Sequence, residues 1–130
     1  MLESHGASRM LASFHDILPH WVFTGLYFSD TFIQKNPDIV KATVAGLLKS
    51  FDFIKNHEQQ ARMHMPKYTG MDLDTCMISA LREYSSPYKP KELLERQRDV
   101  MLQYGYLDKK LDIDHMIDYS FLPEGLRRSE

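Results

Sequence analysis

Cysteine is almost absent from this chain. One thiol, Cys76, in 130 residues excludes an internal disulfide and says nothing about compartment. No apolar run approaches the ~18–20 residues needed to cross a bilayer. Met1 to Leu18 is broken by Glu3, His5, Arg9 and His15, so it lacks the apolar centre of a secretion signal. Neither sign of charge is in excess: 16 basic against 18 acidic residues leave a net charge of −2. With no basic block, the chain lacks the electrostatic footprint of a nucleic-acid binder. It also has no Gly-rich phosphate loop, no nucleophile elbow and no zinc-type ligand spacing. The hydrophobic fraction of 43% is ordinary for a globular protein, so wholesale disorder is not expected.

Helix signals dominate what remains. Asn36-Pro37-Asp38 opens a run with apolar residues at 40, 44, 47, 48, 51 and 54. Asn36 suits a cap, Pro37 the first helical position, and Asp38 the positive end of the helix dipole. The stripe predicts a helix to about Lys55 that buries one face. Ser29 is expected to cap a short helix, Asp30 to Lys35. Asn56 is expected to cap a second segment, with Gln59 completing a capping box and Tyr68-Thr69-Gly70 ending it. Asp72 is expected to cap a third, with Leu73, Cys76, Met77, Ala80, Leu81 and Tyr84 on one face. Pro90 begins a stripe of Leu93, Leu94, Gln97, Val100, Met101 and Tyr104 that Gly105 ends with a left-handed residue. Asp112 is expected to cap a last helix, Ile113 to Tyr119, before Phe121-Leu122-Pro123 closes the ordered part.

Two segments read as strands. Arg9 to Phe14 forms a short one. Trp21 to Phe28 is rich in aromatic and β-branched residues and apolar at both parities, which suits a strand covered on both faces. Pro19 marks the bend between them. The expected fold is therefore mostly α with one or two short N-terminal strands. Such a ribbon is marginal in water, and its open edge invites pairing with another chain.

The order of these signals resembles the carboxy-terminal part of a family of ABC-transporter substrate-binding proteins, those handling nitrate, alkylsulfonates, taurine and pyrimidine precursors of thiamine. The residues carrying the resemblance are Gly25-Leu26-Tyr27-Phe28-Ser29-Asp30, then Phe32-Ile33-Gln34-Lys35-Asn36-Pro37-Asp38-Ile39-Val40-Lys41-Ala42. Further on come Lys55-Asn56-His57-Glu58, Pro90 to Gly105, Leu111-Asp112-Ile113-Asp114 and Tyr119-Ser120-Phe121-Leu122. The resemblance covers roughly residues 8 to 124; its motifs are individually unspecific, and their order carries it. It implies a C-terminal fragment of a two-lobed α/β periplasmic-binding-protein type 2 fold. Residues 1–18 would cross the hinge, and 19–130 would form the helical end of one lobe as a single compact unit. It further implies a non-enzymatic solute-binding component of an importer, periplasmic or extracellular-facing. Its partners would be a small-molecule ligand and an ABC permease, with no cofactor. The missing signal peptide fits a truncation, and the fragment is expected to self-associate through its open strand edge. The family's pyrimidine-synthase branch uses a cysteine-rich iron motif, which this chain lacks.

Carried over by position, the residues facing the ligand cleft are His20, Trp21 and Thr24. Trp21 would stack on or shield a small ligand, and Thr24 would donate a hydrogen bond. An aromatic in a two-sided strand is more often core. No catalytic or metal site is expected. His57 and His64 lie about 10 Å apart along a helix, too far for a shared metal. Cys76 reads as a small core residue. Asp112, Asp114 and Asp118 lack the Gly and terminal Glu of a calcium loop. Met63 and Met65 beside His64 read as packing rather than a copper site. Two other functions stay open: a free-standing helical interaction domain, and, ranked last, an enzyme using His15, Asp16 and His20.

Overall fold

A computed structural model of the chain describes residues 6–82, 84 and 88–127. Seven α-helices run in order: α1 Phe14–Ile17, α2 Asp30–Lys35, α3 Pro37–Asn56, α4 Glu58–Met63, α5 Met65–Thr69, α6 Leu73–Ile78 and α7 Lys91–Gln103. Two 3-10 turns follow, Tyr119–Phe121 and Glu124–Leu126. Among the described residues there is no strand and no sheet. This corrects the expectation of one or two N-terminal strands, and with it the α/β periplasmic-binding-protein fragment.

The reason differs between the two segments. In Arg9–Phe14 a local helix start wins. Ser13 accepts from the His15 amide at 3.2 Å, and its own amide donates to Asp16 at 3.1 Å, a capping box that turns the chain into α1. In Trp21–Phe28 no second strand lies alongside among the described residues. The run passes without helix, turn or bend, and no ladder forms. Favourable side chains for a strand do not make one without a second strand to complete the ladder.

Packing divides the chain into two units. The first comprises Met1–Arg9 and Ala42–Pro87. Here α3 presents Val44, Leu48, Phe51 and Ile54 as a half-buried stripe, and Phe51 meets the Tyr84 ring at 5.3 Å. Helices α4, α5 and α6 pack against one another. Asn56 ends α3 instead of capping α4, and His57 takes the capping position without a side-chain bond. Gly70 ends α5 at φ 70°, a left-handed residue where a Cβ would strain the backbone. Asp72 caps α6 by accepting from both the amide and the hydroxyl of Thr75, each at 2.8 Å. Buried Arg62 locks α4 to α6. It bonds Glu58 at 2.8 Å and donates to the carbonyls of Cys76 and Ser79 at 2.7 and 2.8 Å.

The second unit comprises Met10–Lys41 and Tyr88–Glu130. Ser29 caps α2 by accepting from Phe32 at 3.3 Å, as expected from sequence. Asn36 closes α2; its side chain donates to the Phe32 carbonyl, and its own carbonyl accepts from Val40. Val40 and Ile113 are the buried apolar side chains described in this unit. Arg98 is also buried in this unit; its guanidinium donates to Asp99 at 2.8 Å and to the Leu111 carbonyl at 3.1 Å. The expected helix from Ile113 to Tyr119 does not form. Asp112 caps a local turn by accepting from Asp114, and Asp118 caps the 3-10 turn by accepting from Ser120. Asp112 and Asp118 each hold the amide two positions on, and such local side-chain bonds replace a helix with turns.

Candidate functional site

In the second unit a concavity is lined by two of the expected site residues, His20 and Trp21. It follows from three local events. The α1 capping box brings Phe14 round so that its ring meets the Trp21 ring edge-on at 5.6 Å. After α1 the chain reverses through Pro19 and His20, and His20 adopts φ 63°, a left-handed conformation that non-glycine residues rarely hold. That reversal sets the His20 ring 6.3 Å from the His15 ring. Finally, α7 supplies the opposite wall.

The lining residues are Leu18, Pro19, His20 and Trp21 on one side, with Leu93, Arg96, Gln97 and Val100 of α7 on the other. The cavity measures about 10 Å³, room for about one water molecule and far below the ~300 Å³ of an ordinary ligand pocket. One polar contact fixes its edge. The Gln97 carboxamide accepts from the Val22 amide at 2.9 Å and donates to the Val22 carbonyl at 3.1 Å. A residue in an extended chain points both backbone groups to one side, and Gln97 satisfies both as a neighbouring strand would.

Of the three ligand residues expected from sequence, His20 and Trp21 are therefore brought together. Thr24 is not; it is exposed and does not line the cavity. The residues sequence reasoning did not single out as lining are those from α7. Leu93, Gln97 and Val100 were legible as one helical face, but nothing local said what that face would meet. Arg96 carried no such signal. It adds a guanidinium to the lining that also holds the His20 imidazole.

The other candidates separate. His57 and His64 flank the six-residue α4, and both are exposed; the His57 ring packs on Phe53 at 5.1 Å. Cys76 is fully buried, with the Thr69 hydroxyl at 3.9 Å. Asp114 is engaged by the Lys91 ammonium at 2.6 Å, and that hydrogen bond holds the Lys91 pKa above its ordinary value. Among the described residues no three or more His, Cys, Asp or Glu side chains are arranged to hold a metal ion. No helix among them is long and apolar enough to cross a membrane. Comparison with protein-family models, with curated proteins and with solved structures finds no match for this chain.

Proposed function

We propose that this chain belongs to the solute-binding component of an ABC importer and works by holding a small organic or anionic nutrient, such as a sulfonate, nitrate or a pyrimidine precursor, rather than by catalysis. The observation that carries this reading is the shared wall of His20 and Trp21. These are adjacent residues that the family resemblance assigns to the ligand cleft, and they meet Arg96 and Gln97 of α7 across a small cavity. Further support comes from the helix starts, which keep the order of the resemblance: Ser29 capping α2, Pro37 opening α3, Pro90 preceding α7 and Gly105 ending it at φ 73°.

The chemistry suits such a ligand. An indole face shields an organic group, and imidazole and guanidinium donors meet an anionic one. A cavity of about 10 Å³ does not enclose it, so the reading requires a second wall that closes over this one. In the importer, the closed form would be presented to the permease on the periplasmic or outer face of the membrane.

Calorimetric titration tests the reading. Nitrate, alkylsulfonates and aminopyrimidines would be added to the chain alone and to the chain in frame with the sequence encoded directly upstream. Saturable binding by the longer product, lost in Trp21→Ala and His20→Ala, is the expected result. No saturable binding by either product to any of the three classes overturns it.

A second reading, a helical domain that binds another polypeptide, is favoured by one specific observation. The run after Val22 exposes Phe23, Leu26 and Tyr27 together.

A further inference from the structure

Four tyrosines of this chain stand open to solvent: Tyr27 at 83% exposure, Tyr68 at 79%, Tyr106 at 78% and Tyr104 at 69%. By side-chain exposure alone they are equivalent. Their backbones separate them. Tyr68 lies inside α5, whose end is closed by the Gly70 amide donating to the Pro66 carbonyl at 3.0 Å. At Tyr104 and Tyr106 three consecutive amides are engaged: Tyr104 donates to the Val100 carbonyl at 3.2 Å, Gly105 to Leu102 at 3.1 Å and Tyr106 to Met101 at 2.8 Å. By contrast, no backbone group from Thr24 to Tyr27, nor the Phe28 amide, has a hydrogen bond among the described residues.

That stretch is also well presented. Thr24, Gly25, Leu26 and Tyr27 are all exposed and lie outside any helix, turn or bend. It is anchored on either side: Gln97 holds both backbone groups of Val22, and Ser29, itself extended, caps α2. An endopeptidase takes its substrate as an added extended strand, bonds the backbone of the residues before the cut, and seats one side chain in a specificity pocket. A helical or turned segment must first unwind and give up its own hydrogen bonds. Thr24–Tyr27 has none to give up.

We propose that the Tyr27–Phe28 peptide bond is a processing site for an endopeptidase whose specificity pocket accepts an aromatic side chain. The Thr24–Tyr27 backbone pairs with the enzyme, and the Tyr27 ring fills the pocket. In the net reaction the oxygen of a water molecule bonds to the Tyr27 carbonyl carbon and the C–N bond to Phe28 breaks. A proton from that water passes to the Phe28 nitrogen, which leaves as an amine. The products are one chain ending in the Tyr27 carboxylate and another beginning at Phe28. Gln97 still ties Val22 to α7 and Ser29 still caps α2; what is lost is the covalent link from the His20–Trp21 wall to α2. The proposal does not depend on the importer reading.

Limited digestion of the full chain by chymotrypsin under native conditions, followed by intact mass, tests it. The first cut is expected at Tyr27–Phe28, ahead of any at Tyr68, Tyr104 or Tyr106. Tyr27→Asp, which removes the ring, and Gly25→Pro, which removes an amide that the enzyme bonds, should each slow that cut about tenfold or more. The proline requires only that the Tyr27 hydroxyl, 3.2 Å from an added Cβ, swing aside. Both variants are expected to keep the helical content of the parent by circular dichroism. Three results overturn the proposal: a first cut at any other bond, simultaneous cutting at all four tyrosines as global unfolding would give, or a first cut at Tyr27 that neither folded variant slows.

Discussion

The α4–α6 cluster and the run Trp21–Ser29 solve the same problem in opposite ways. Each contains backbone groups that local helix bonding leaves over. In the cluster one side chain, Arg62, reaches the carbonyls of Cys76 and Ser79 and a carboxylate, all within 2.8 Å, and sits 9% exposed while doing so. Charge-assisted bonds of this kind are the stronger ones, and their burial keeps water from competing. In the run one side chain, Gln97, serves a single residue, Val22, and the backbone groups from Thr24 to Tyr27 have no hydrogen bond among the described residues. The first region is complete within its own unit. The second carries strand-forming side chains without the strand that would make use of them.

The contrast breaks most readily at Arg62. Arg62→Ala is expected to cost about 3 kcal/mol by urea denaturation, since two buried carbonyls and Glu58 lose their partner. It should also speed thiol labelling of Cys76, which is fully buried; unchanged labelling would contradict the role given to Arg62. Asp72→Ala removes the α6 cap and should cost about 1–2 kcal/mol, read by the same labelling. Gln97→Leu keeps the apolar stem and deletes the Val22 bridge. A loss of about 1 kcal/mol is expected, with faster hydrogen exchange at the Val22 amide and a shift in Trp21 emission. Cys76 labelling should stay as it was, which separates the two regions.

The smallest effect is alkaline. Lys91 has its pKa raised, first by the hydrogen bond from its ammonium to Asp114, and Tyr119 has its pKa raised by burial. Folded-state values above the unfolded ones mean both contributions are fully present below about pH 10, where the unfolded groups still hold their protons. Both fade as pH rises through the folded values. Stability should therefore fall above about pH 10, less steeply in Tyr119→Phe and Lys91→Met. A fall beginning near neutral pH, or one that both variants leave unaltered, would remove these two groups as its cause.

Much of the helical plan was readable residue by residue. Ser29, Pro37, Asp72 and Gly105 act locally, each through its own φ or a side chain reaching amides two or three positions away, so neighbouring sequence is enough. The same locality explains two misreadings. Ser13 and Asp16 carried a capping-box signal at the end of a segment read as a strand, and Asp112 and Asp118 each bond the amide two positions on and break the helix that apolar spacing suggested. The candidate site was half legible. His20 and Trp21 were named, but the wall they face comes from residues more than seventy positions later, and no periodicity reports which face of α7 meets which loop.

Sequence alone determined where the helices begin and end, because caps, prolines and left-handed glycines act over one turn of backbone. It also determined that Trp21–Phe28 would be apolar, unbranched by charge and averse to helix. Tertiary structure decided the rest: that Gln97 bridges Val22, that Arg62 closes α4 on α6, and that no ladder forms among the described residues. A hydrogen bond between distant segments requires both to arrive at one place, and arrival is a property of the packed chain, not of either segment.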